Sequence, residues 1–198
     1  MIKAILFDGD GVVINKPMQF SECFEKDFNV PISEMLLFFK NEFQLCLTGK
    51  ADLKEVIKPY LSKWNWEKSV DDLLDYWFKS ENYIDSRVID LIEKCHSKNI
   101  KCYIHSNQEK YRTDYMKETM GLNKVVDGMF SSAYLGVKKP EQEFWQKIFD
   151  EIQPALKEEV LVLDDDEENI ISAKKFGFNA ESYKDFDKLQ EDFKKYIN

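Results

Sequence analysis

Residues 1–14 read M-I-K-A-I-L-F-D-G-D-G-V-V-I, and this stretch decides the fold. The apolar run 4–7 ends abruptly in Asp8-Gly9-Asp10-Gly11, which is typical of a buried strand in a parallel sheet. Open α/β sheets bind ligands at the carboxyl ends of their strands. Two carboxylates there, beside glycines that let a ligand approach the backbone, indicate a metal and chemistry. The alternative is a polar turn after an edge strand, because Asp-Gly is itself a strong turn signal.

Later parts of the chain alternate between strand and helix patterns. We predict further strands over 100–104, 129–133, 160–163 and 178–183. Helix patterns lie between them, and a last helix is predicted over 187–197. Strands that alternate with helices predict an α/β fold with a doubly wound, Rossmann-like parallel sheet.

A helical segment interrupts this alternation after the first strand. Apolar residues at helical spacing run from about Pro17 to Tyr83, without a convincing strand pattern. We therefore predict an α/β core of residues 1–15 and 84–198, with an inserted helical module of residues 16–83. The aromatic stripes of the insert are interpreted as its own core rather than as a cofactor site.

Composition narrows the possible partners. The formal net charge is −9, which argues against nucleic acid and against an anionic membrane surface, because no basic patch offsets the repulsion. The four cysteines form no C-x-x-C pair and the chain has two histidines, so a zinc cluster is disfavoured. The sequence has no signal-peptide pattern and no apolar stretch long enough to cross a bilayer, which predicts a cytoplasmic protein.

Polar side chains follow the predicted strands and lie in one later loop. They are Asp8 with Asp10, Ser106 with Asn107, Lys139, and Asp164 with Asp165. Two carboxylates about 5 Å apart repel by roughly 3 kcal/mol at an effective dielectric constant near 20. Several such pairs at one site would be costly without a cation, so the acids by themselves predict a metal.

In this order and spacing, the motifs resemble those of the haloacid dehalogenase superfamily, and the resemblance covers nearly the whole chain. That family has a strand followed by D-x-D-G, a strand followed by Ser or Thr, a Lys, and an apolar strand followed by paired acids. The matching residues here are Asp8-Gly9-Asp10-Gly11, Ser106, Lys139 and Asp164-Asp165. Lys139 is matched rather than Lys138 because the family's Lys usually precedes Pro. The insert resembles the family's small helical cap, in the phosphatase and β-phosphoglucomutase-like branch.

The resemblance implies a Mg²⁺-dependent phosphatase that hydrolyses a small phosphomonoester, a sugar phosphate or a nucleotide, through an aspartyl-phosphate. Asp8 matches the nucleophile and Asp10 the general acid/base. Mg²⁺ would be held by Asp8, by the backbone carbonyl of Asp10 and by Asp165, with Asp164 contributing directly or through water. The expected phosphate-binding residues are Gly11, Ser106, Asn107 and Lys139. The expected partner is a small phosphorylated metabolite, and the expected assembly is a monomer or a weak homodimer.

Three alternatives remain open at this point. A β-phosphoglucomutase-like phosphomutase shares the core and would depend on a bisphosphate activator. A metal-independent 2-haloacid dehalogenase is disfavoured by Asp10, because such enzymes lack the second acid. A non-catalytic binding protein would not need the full set of acids with Lys139. The role of His105 is open between a satisfied residue at a strand end and a catalytic group.

Overall fold

Five parallel strands form one sheet in the computed structural model, which describes residues 1–152 and 156–196. The strands are β1 (Ala4–Asp8), β2 (Lys101–Ser106), β3 (Gly128–Ser131), β4 (Val160–Asp164) and β5 (Asn179–Ser182). Their order across the sheet is β3-β2-β1-β4-β5, so the chain winds outward in both directions from the central strand. The predicted doubly wound α/β sheet is confirmed.

The central position of β1 explains its continuous apolar run. All five of its residues are buried, because β2 and β4 flank it and helices cover both faces of the sheet. Ile5 and Phe7 point into one hydrophobic layer, and Ala4 and Leu6 into the other. Asp8 continues the alternation on the Leu6 face at the end of the strand.

Register places two more polar residues on the Asp8 face. His105 of β2 lies directly opposite Asp8. Phe7 pairs with Leu163 of β4, so the next residue of that strand, Asp164, lies level with Asp8. The sheet therefore brings residues far apart in sequence to one edge.

Residues 16–83, all of which the structure describes, hold five helices and no strand. The helices are α1 (Phe20–Phe28), α2 (Ile32–Lys40), α3 (Glu42–Cys46), α4 (Leu53–Lys63) and α5 (Val70–Ser80). They agree with the helical pattern of the sequence, while the division into two domains remains a prediction. Their aromatic side chains pack mainly on one another, around the fully buried Trp64. The interpretation of these stripes as a core is therefore correct for most of them.

The helices after the insert pack mostly on the two faces of the sheet. They are α6 (Ser86–Ser97), α7 (Lys110–Asp114), α8 (Ser132–Leu135), α9 (Gln142–Glu151), α10 (Glu167–Phe176) and α11 (Phe186–Tyr196). A π-helical turn (Tyr115–Thr119) continues α7, and 3-10 turns occupy Leu122–Lys124 and Lys157–Glu159. Residue 197, where the last helix was predicted to end, lies outside the described residues. Within the described ranges, every helix is too short or too polar to cross a bilayer.

One buried arginine joins the insert to the rest of the chain. Arg112 of α7 donates hydrogen bonds from Nη1 to the carbonyl oxygen of Phe78 and from Nη2 to that of Glu81, both at 2.9 Å. These carbonyls lie at the end of α5, where carbonyl groups lack partners within the helix. The exit of the insert is therefore fixed next to the end of β2, from which α7 follows.

Candidate active site

A single lysine ammonium joins the ends of β1 and β4. Lys139 Nζ lies 2.9 Å from Asp8 Oδ1 and 2.7 Å from Asp164 Oδ2. All three side chains are buried. One lysine ammonium thus bridges two carboxyl groups at the carboxyl edge of the sheet.

Asn107 positions this lysine. Its Oδ1 accepts a hydrogen bond from the Lys139 backbone N–H at 2.8 Å, and its Nδ2 donates to the Lys139 carbonyl oxygen at 3.0 Å. The neighbouring Lys138 instead extends to the insert, where its Nζ lies 3.0 Å from Gln44 Oε1. Both polar groups of the Asn107 side chain therefore bind the backbone of the lysine loop.

The paired acids after β4 have different surroundings. Asp164 is fully buried and accepts hydrogen bonds from the Asp166 backbone N–H at 2.8 Å and from Asn169 Nδ2 at 3.0 and 3.1 Å. Asp165 borders an open cavity of about 510 Å³. Asp164 is thus held by protein groups, whereas Asp165 faces the open side of the site.

Gly11 allows the Asp165 carboxylate to approach the loop after β1. Its φ of +103° favours glycine, and a Cβ added there would lie 2.4 Å from Asp165 Oδ2. Any other residue would push this carboxylate away. The D-G-D-G stretch therefore makes room for the acid of the fourth motif, which its turn propensity alone did not indicate.

Asp10 lies between two partners that the sequence analysis did not identify. Gln108 Nε2 donates to Asp10 Oδ2 at 2.9 Å, and Lys16 Nζ lies 3.5 Å from Asp10 Oδ1. Lys16 also pairs with Glu81 at the end of the insert, at 3.2 Å. Asp10 borders both the 510 Å³ cavity and a second one of about 320 Å³. It therefore lies where a bound molecule can reach it from two sides.

Ser106 ends β2 beside this group. It is buried, pairs in register with Ser131 of β3, and lies close to Gly9, where an added Cβ would be 3.2 Å from Ser106 Oγ. The hydroxyl thus lies against the loop that carries Asp8 and Asp10. All eight candidate site residues meet at this edge of the sheet, although their individual roles remain predictions.

Burial and neighbouring charges act on these groups in opposite directions. Burial raises the pKa of Asp8 well above its ordinary value, despite the opposing effect of Lys139. Burial and then Asp164 raise the pKa of Asp165. Burial also acts to raise the pKa of Asp164, but the combined effect of its neighbours, with Lys139 first and Asn169 among them, lowers that pKa. Lys139 and Asp164 thus form a stable ion pair, whereas the protein compensates the ionised forms of Asp8 and Asp165 only in part.

His105 is a neutral residue beneath this ion pair. Its ring is fully buried against Trp145, with the ring centroids 5.4 Å apart. Burial, followed by the charge of Lys139, lowers its pKa to about 3. Its Nδ1 lies 3.9 Å from Asp164 Oδ2, beyond hydrogen-bond distance, so contacts with aromatic rings dominate the surroundings of this strand-end histidine.

Asp8, His105 and Asp164 also have ligand atoms within 4.8 Å of one another, as in some metal sites. However, the ammonium of Lys139 lies within 3 Å of both carboxylates of this trio. A metal ion between the same oxygens would meet strong repulsion from that charge. The positive charge between Asp8 and Asp164 is therefore supplied by Lys139. A metal ion would fit better next to Asp165, which borders the open cavity.

Another buried acid, Glu109, follows Gln108 in the chain. Glu109 precedes α7, and its carboxylate accepts hydrogen bonds from the backbone N–H groups of Tyr111 and Arg112. Burial raises its pKa to about 7 from an ordinary value of 4.5. The folded chain therefore binds this proton more tightly than the unfolded chain does, and stability should fall as the pH rises from about 4.5 through 7.

Glu109→Gln should remove that contribution, because glutamine keeps an acceptor oxygen and does not titrate. Between pH 5 and 8, we expect the wild type to lose up to about 3 kcal/mol of unfolding free energy relative to the variant. Urea unfolding of both proteins at fixed ionic strength measures this difference, and equal m-values verify that the same transition is compared. Parallel stability curves across this pH range would contradict the assignment.

Comparisons with known proteins agree with this geometry. The family of haloacid dehalogenase-like hydrolases matches residues 2–177. A sesquiterpene phosphatase from Aspergillus oryzae is 28% identical over 93 residues, which make up 47% of this chain and 47% of that protein. The matched segment thus spans about half the length of this curated relative.

Solved structures share the fold over almost the whole chain. A family enzyme from Bacteroides thetaiotaomicron, in complex with magnesium and inorganic phosphate, has a TM-score of 0.79 at 20% identity and covers 96% of this chain and 99% of its own. A hydrolase of the family from Porphyromonas gingivalis has a TM-score of 0.82 at 20% identity, with 100% and 98% covered. L-2-haloacid dehalogenase from Xanthobacter autotrophicus has a TM-score of 0.66 at 19% identity, with 96% and 82% covered.

The family predicted from the four motifs is therefore confirmed. The match runs from the strand that carries Asp8 to the end of α10, and it includes every candidate site residue. This chain belongs to the haloacid dehalogenase-like hydrolases.

Proposed function

We propose that this chain is a Mg²⁺-dependent phosphatase that hydrolyses a small phosphomonoester through an aspartyl-phosphate on Asp8. The observation that carries the proposal is the Lys139 ammonium, 2.9 Å from the Asp8 carboxylate at the edge of the sheet where Asp10 and Asp165 also lie. The phosphate and magnesium bound by the Bacteroides thetaiotaomicron enzyme support it. Similarity to a sesquiterpene phosphatase also favours phosphate ester hydrolysis.

The residues on the open side of the site fit a magnesium ion. The donors would be the carboxylates of Asp8 and Asp165 and the backbone carbonyl of Asp10, all of them the hard oxygens that Mg²⁺ prefers. Burial raises the pKa of both carboxylates, so each lacks full charge compensation from the protein. Gly11 leaves room for Asp165 to approach this loop. When bound, the ion would supply positive charge that neutralises phosphoryl oxygens.

Asp164 has a different role from Asp165 in this proposal. Its oxygens already accept hydrogen bonds from Lys139, Asn169 and the Asp166 backbone. It therefore orients the lysine rather than binding the metal directly. Asn107 holds the same lysine through its backbone, so two residues position one ammonium for the phosphoryl group.

The chemical steps divide between the two acids of the first motif. Lys139 fixes one oxygen of Asp8, which orients the carboxylate for attack on phosphorus. Asp10, held by Gln108, protonates the leaving oxygen and then accepts a proton from the hydrolytic water. Ser106 and Lys139 bind phosphoryl oxygens. Phosphoryl transfer needs mainly positioning and charge neutralisation, which these groups provide.

A dehalogenase is the less favoured function, although one shares the fold. Asp10 is held between Gln108 and Lys16, which is an arrangement suited to a proton-transferring acid. Hydrolysis of a carbon–halogen bond releases a halide that needs no proton, so Asp10 would have no leaving group to protonate there. A phosphomutase would use the same acids and would require a bisphosphate activator.

We also propose that residues 16–83 form a cap over this edge of the sheet. Lys16 and Gln44 of the insert contact Asp10 and Lys138 of the core at this edge. The cap would exclude water and contact the leaving group. Its boundaries at 15/16 and 83/84, and a monomeric or weakly dimeric state, remain predictions.

Asp165→Asn tests the metal assignment. Mg²⁺ at a hundredfold excess over its Kd should stabilise the wild type by about 2.7 kcal/mol, because it binds the folded chain and hardly the unfolded one. The variant should lose most of that gain and most Mg²⁺-dependent phosphate release. Thermal melts in EDTA and in millimolar Mg²⁺ at fixed ionic strength, together with phosphate release from a panel of phosphoesters, measure both effects.

Asp166→Asn is the matched control for this experiment. Asp166 follows Asp165, but its carboxylate accepts from the Glu168 backbone N–H at the start of α10, a role that asparagine also fills. The control should keep the wild-type Mg²⁺ shift. Equal shifts in wild type and Asp165→Asn would remove Asp165 as a ligand. Hydrolysis that is undiminished in EDTA would contradict a metal-dependent phosphatase.

A further inference from the structure

A cavity of about 320 Å³ begins at Asp10 and extends into the helical insert. Its volume lies within the range of about 300–1,000 Å³ typical of ligand pockets. Six apolar side chains of the insert line it: Phe20, Leu36, Phe39, Phe43, Leu47 and Trp77. Four of these residues are aromatic and also pack in the core of the insert, so the cavity lies along one side of that core.

The charged side chains on the insert side of this cavity are already paired. Glu81 accepts hydrogen bonds from the Phe20 backbone N–H at 2.8 Å and from Trp77 Nε1 at 3.2 Å, and it also pairs with Lys16 at 3.2 Å. Lys16 contacts Asp10 as well. These charges therefore hold the aromatic wall and Asp10 in place, and their hydrogen-bonding capacity is largely used within the protein.

Most of the polar groups on the opposite side also have partners within the protein. Gln108 donates to Asp10, and both polar groups of Asn107 bind the Lys139 backbone. Arg112 donates from Nη1 and Nη2 to two carbonyl oxygens of the insert, while its buried Nε has no hydrogen-bond partner among the described residues. Gln19 and Ser21 of the insert also line the cavity. Because most of the other polar groups are engaged, a molecule rich in hydroxyl groups would regain only part of the hydrogen bonds that it makes with water, whereas a hydrocarbon makes none to lose.

The apolar wall also reaches the surface. Leu36 lines the cavity and is 39% exposed, so a chain longer than the cavity can leave at this point. Asp10 borders the other end, where the proposed mechanism places the leaving oxygen. The cavity can therefore hold an organic group that is bonded to the reacting oxygen at one end and reaches solvent at the other.

We propose that the substrate is the phosphomonoester of an apolar alcohol, with an aliphatic chain lying in this cavity. This proposal rests on the proposed phosphatase function and replaces the sugar phosphate or nucleotide expected from the sequence. An Asp8 oxygen bonds to phosphorus as the ester P–O bond breaks, and Asp10 gives its proton to the departing alcohol oxygen. Water then cleaves the aspartyl-phosphate, releases inorganic phosphate and returns a proton to Asp10.

Unbranched alkyl phosphates of two to eight carbons test the substrate class. The ratio kcat/KM should rise about fourfold for each CH₂ that enters the cavity. Glucose 6-phosphate and AMP should be hydrolysed no better than ethyl phosphate. A flat or falling series, with glucose 6-phosphate or AMP preferred, would overturn the apolar substrate and leave the phosphatase function intact.

Leu36→Asn and Leu37→Asn form a matched pair within α2. Both leucines are exposed, but Leu37 does not border the cavity. The ratio of octyl phosphate to ethyl phosphate hydrolysis should fall about tenfold in Leu36→Asn and remain at the wild-type value in Leu37→Asn. Equal ratios in the two variants would contradict the cavity as the binding site.

Calorimetry of ethylphosphonate and octylphosphonate binding tests the apolar site separately from the phosphatase function, because binding requires no turnover. A much lower Kd for octylphosphonate, which is weakened in Leu36→Asn, supports the cavity assignment. If this binding occurs while no phosphoester is hydrolysed, the phosphatase proposal fails and the apolar site stands. Equal Kd values for the two phosphonates would overturn the apolar site.

Discussion

Asp8→Asn is expected to reduce phosphate release by at least about a thousandfold, equivalent to ~4 kcal/mol of transition-state stabilisation. The carboxamide is nearly the same size as the carboxylate but has no anionic oxygen to attack phosphorus. Steady-state phosphate release from the best substrate, with Mg²⁺ saturating, measures the loss. Activity within about tenfold of the wild type, a change of roughly 1.4 kcal/mol, would remove Asp8 as the nucleophile.

The loss should be chemical and not a consequence of unfolding. Burial raises the pKa of Asp8, so its ionised form is disfavoured in the fold, and asparagine removes that charge. Lys139 keeps its contact with Asp164 at 2.7 Å, so no buried ammonium is left unpaired. Thermal melts of the variant in EDTA should therefore match or exceed those of the wild type, and Asp166→Asn provides a control with normal activity.

The meeting of the acids at one edge of the sheet was predictable, because it depends on local sequence patterns. The apolar runs before Asp8 and Asp164 are the buried central strands of a parallel sheet, and such strands end where the backbone leaves the core. Parallel strands in one sheet bring their carboxyl ends together, so the acids had to meet. The choice of Lys139 over Lys138 agrees with their surroundings, since Lys139 is buried between carboxylates and Lys138 extends to Gln44.

The partners of Asp10 were not predictable from the same patterns. Gln108 lies 98 positions from Asp10 along the chain, and nothing in its local sequence marks it as a partner. Lys16 reads as an ordinary residue just after the first strand, and Glu81 as a charge at the end of a helix. These residues hold Asp10 only because the insert packs against the strand ends. That packing cannot be inferred from a single sequence.

The surroundings of His105 in the core were also not predictable from the local sequence. A histidine at a strand end suggests a polar environment, yet register places it beneath Asp8 and against Trp145. Burial there lowers its pKa to about 3, so it is a neutral packing residue over the working pH range. The distinction depends on helix α9, which supplies Trp145 from forty positions further along the chain.

Asp10→Asn should accumulate a phosphorylated enzyme while losing turnover by roughly a hundredfold to ten-thousandfold, the usual contribution of a general acid or base. With a good leaving group such as p-nitrophenolate, the first step needs little protonation, so Asp8 can still be phosphorylated. The second step needs a base to activate water, and asparagine cannot supply one. The variant should keep its geometry, because its side-chain oxygen can still accept from Gln108, and Lys16 keeps Glu81.

Intact-mass spectrometry after mixing Asp10→Asn with p-nitrophenyl phosphate should show one added phosphoryl group, with a burst of one p-nitrophenolate per chain. The double variant Asp8→Asn/Asp10→Asn should show neither, which identifies Asp8 as the site of attachment. Phosphoryl transfer in the double variant would place the covalent group elsewhere. Wild-type turnover by Asp10→Asn would refute proton transfer by Asp10. It would also leave the contacts of Lys16 and Gln108 with this carboxylate without a catalytic reason.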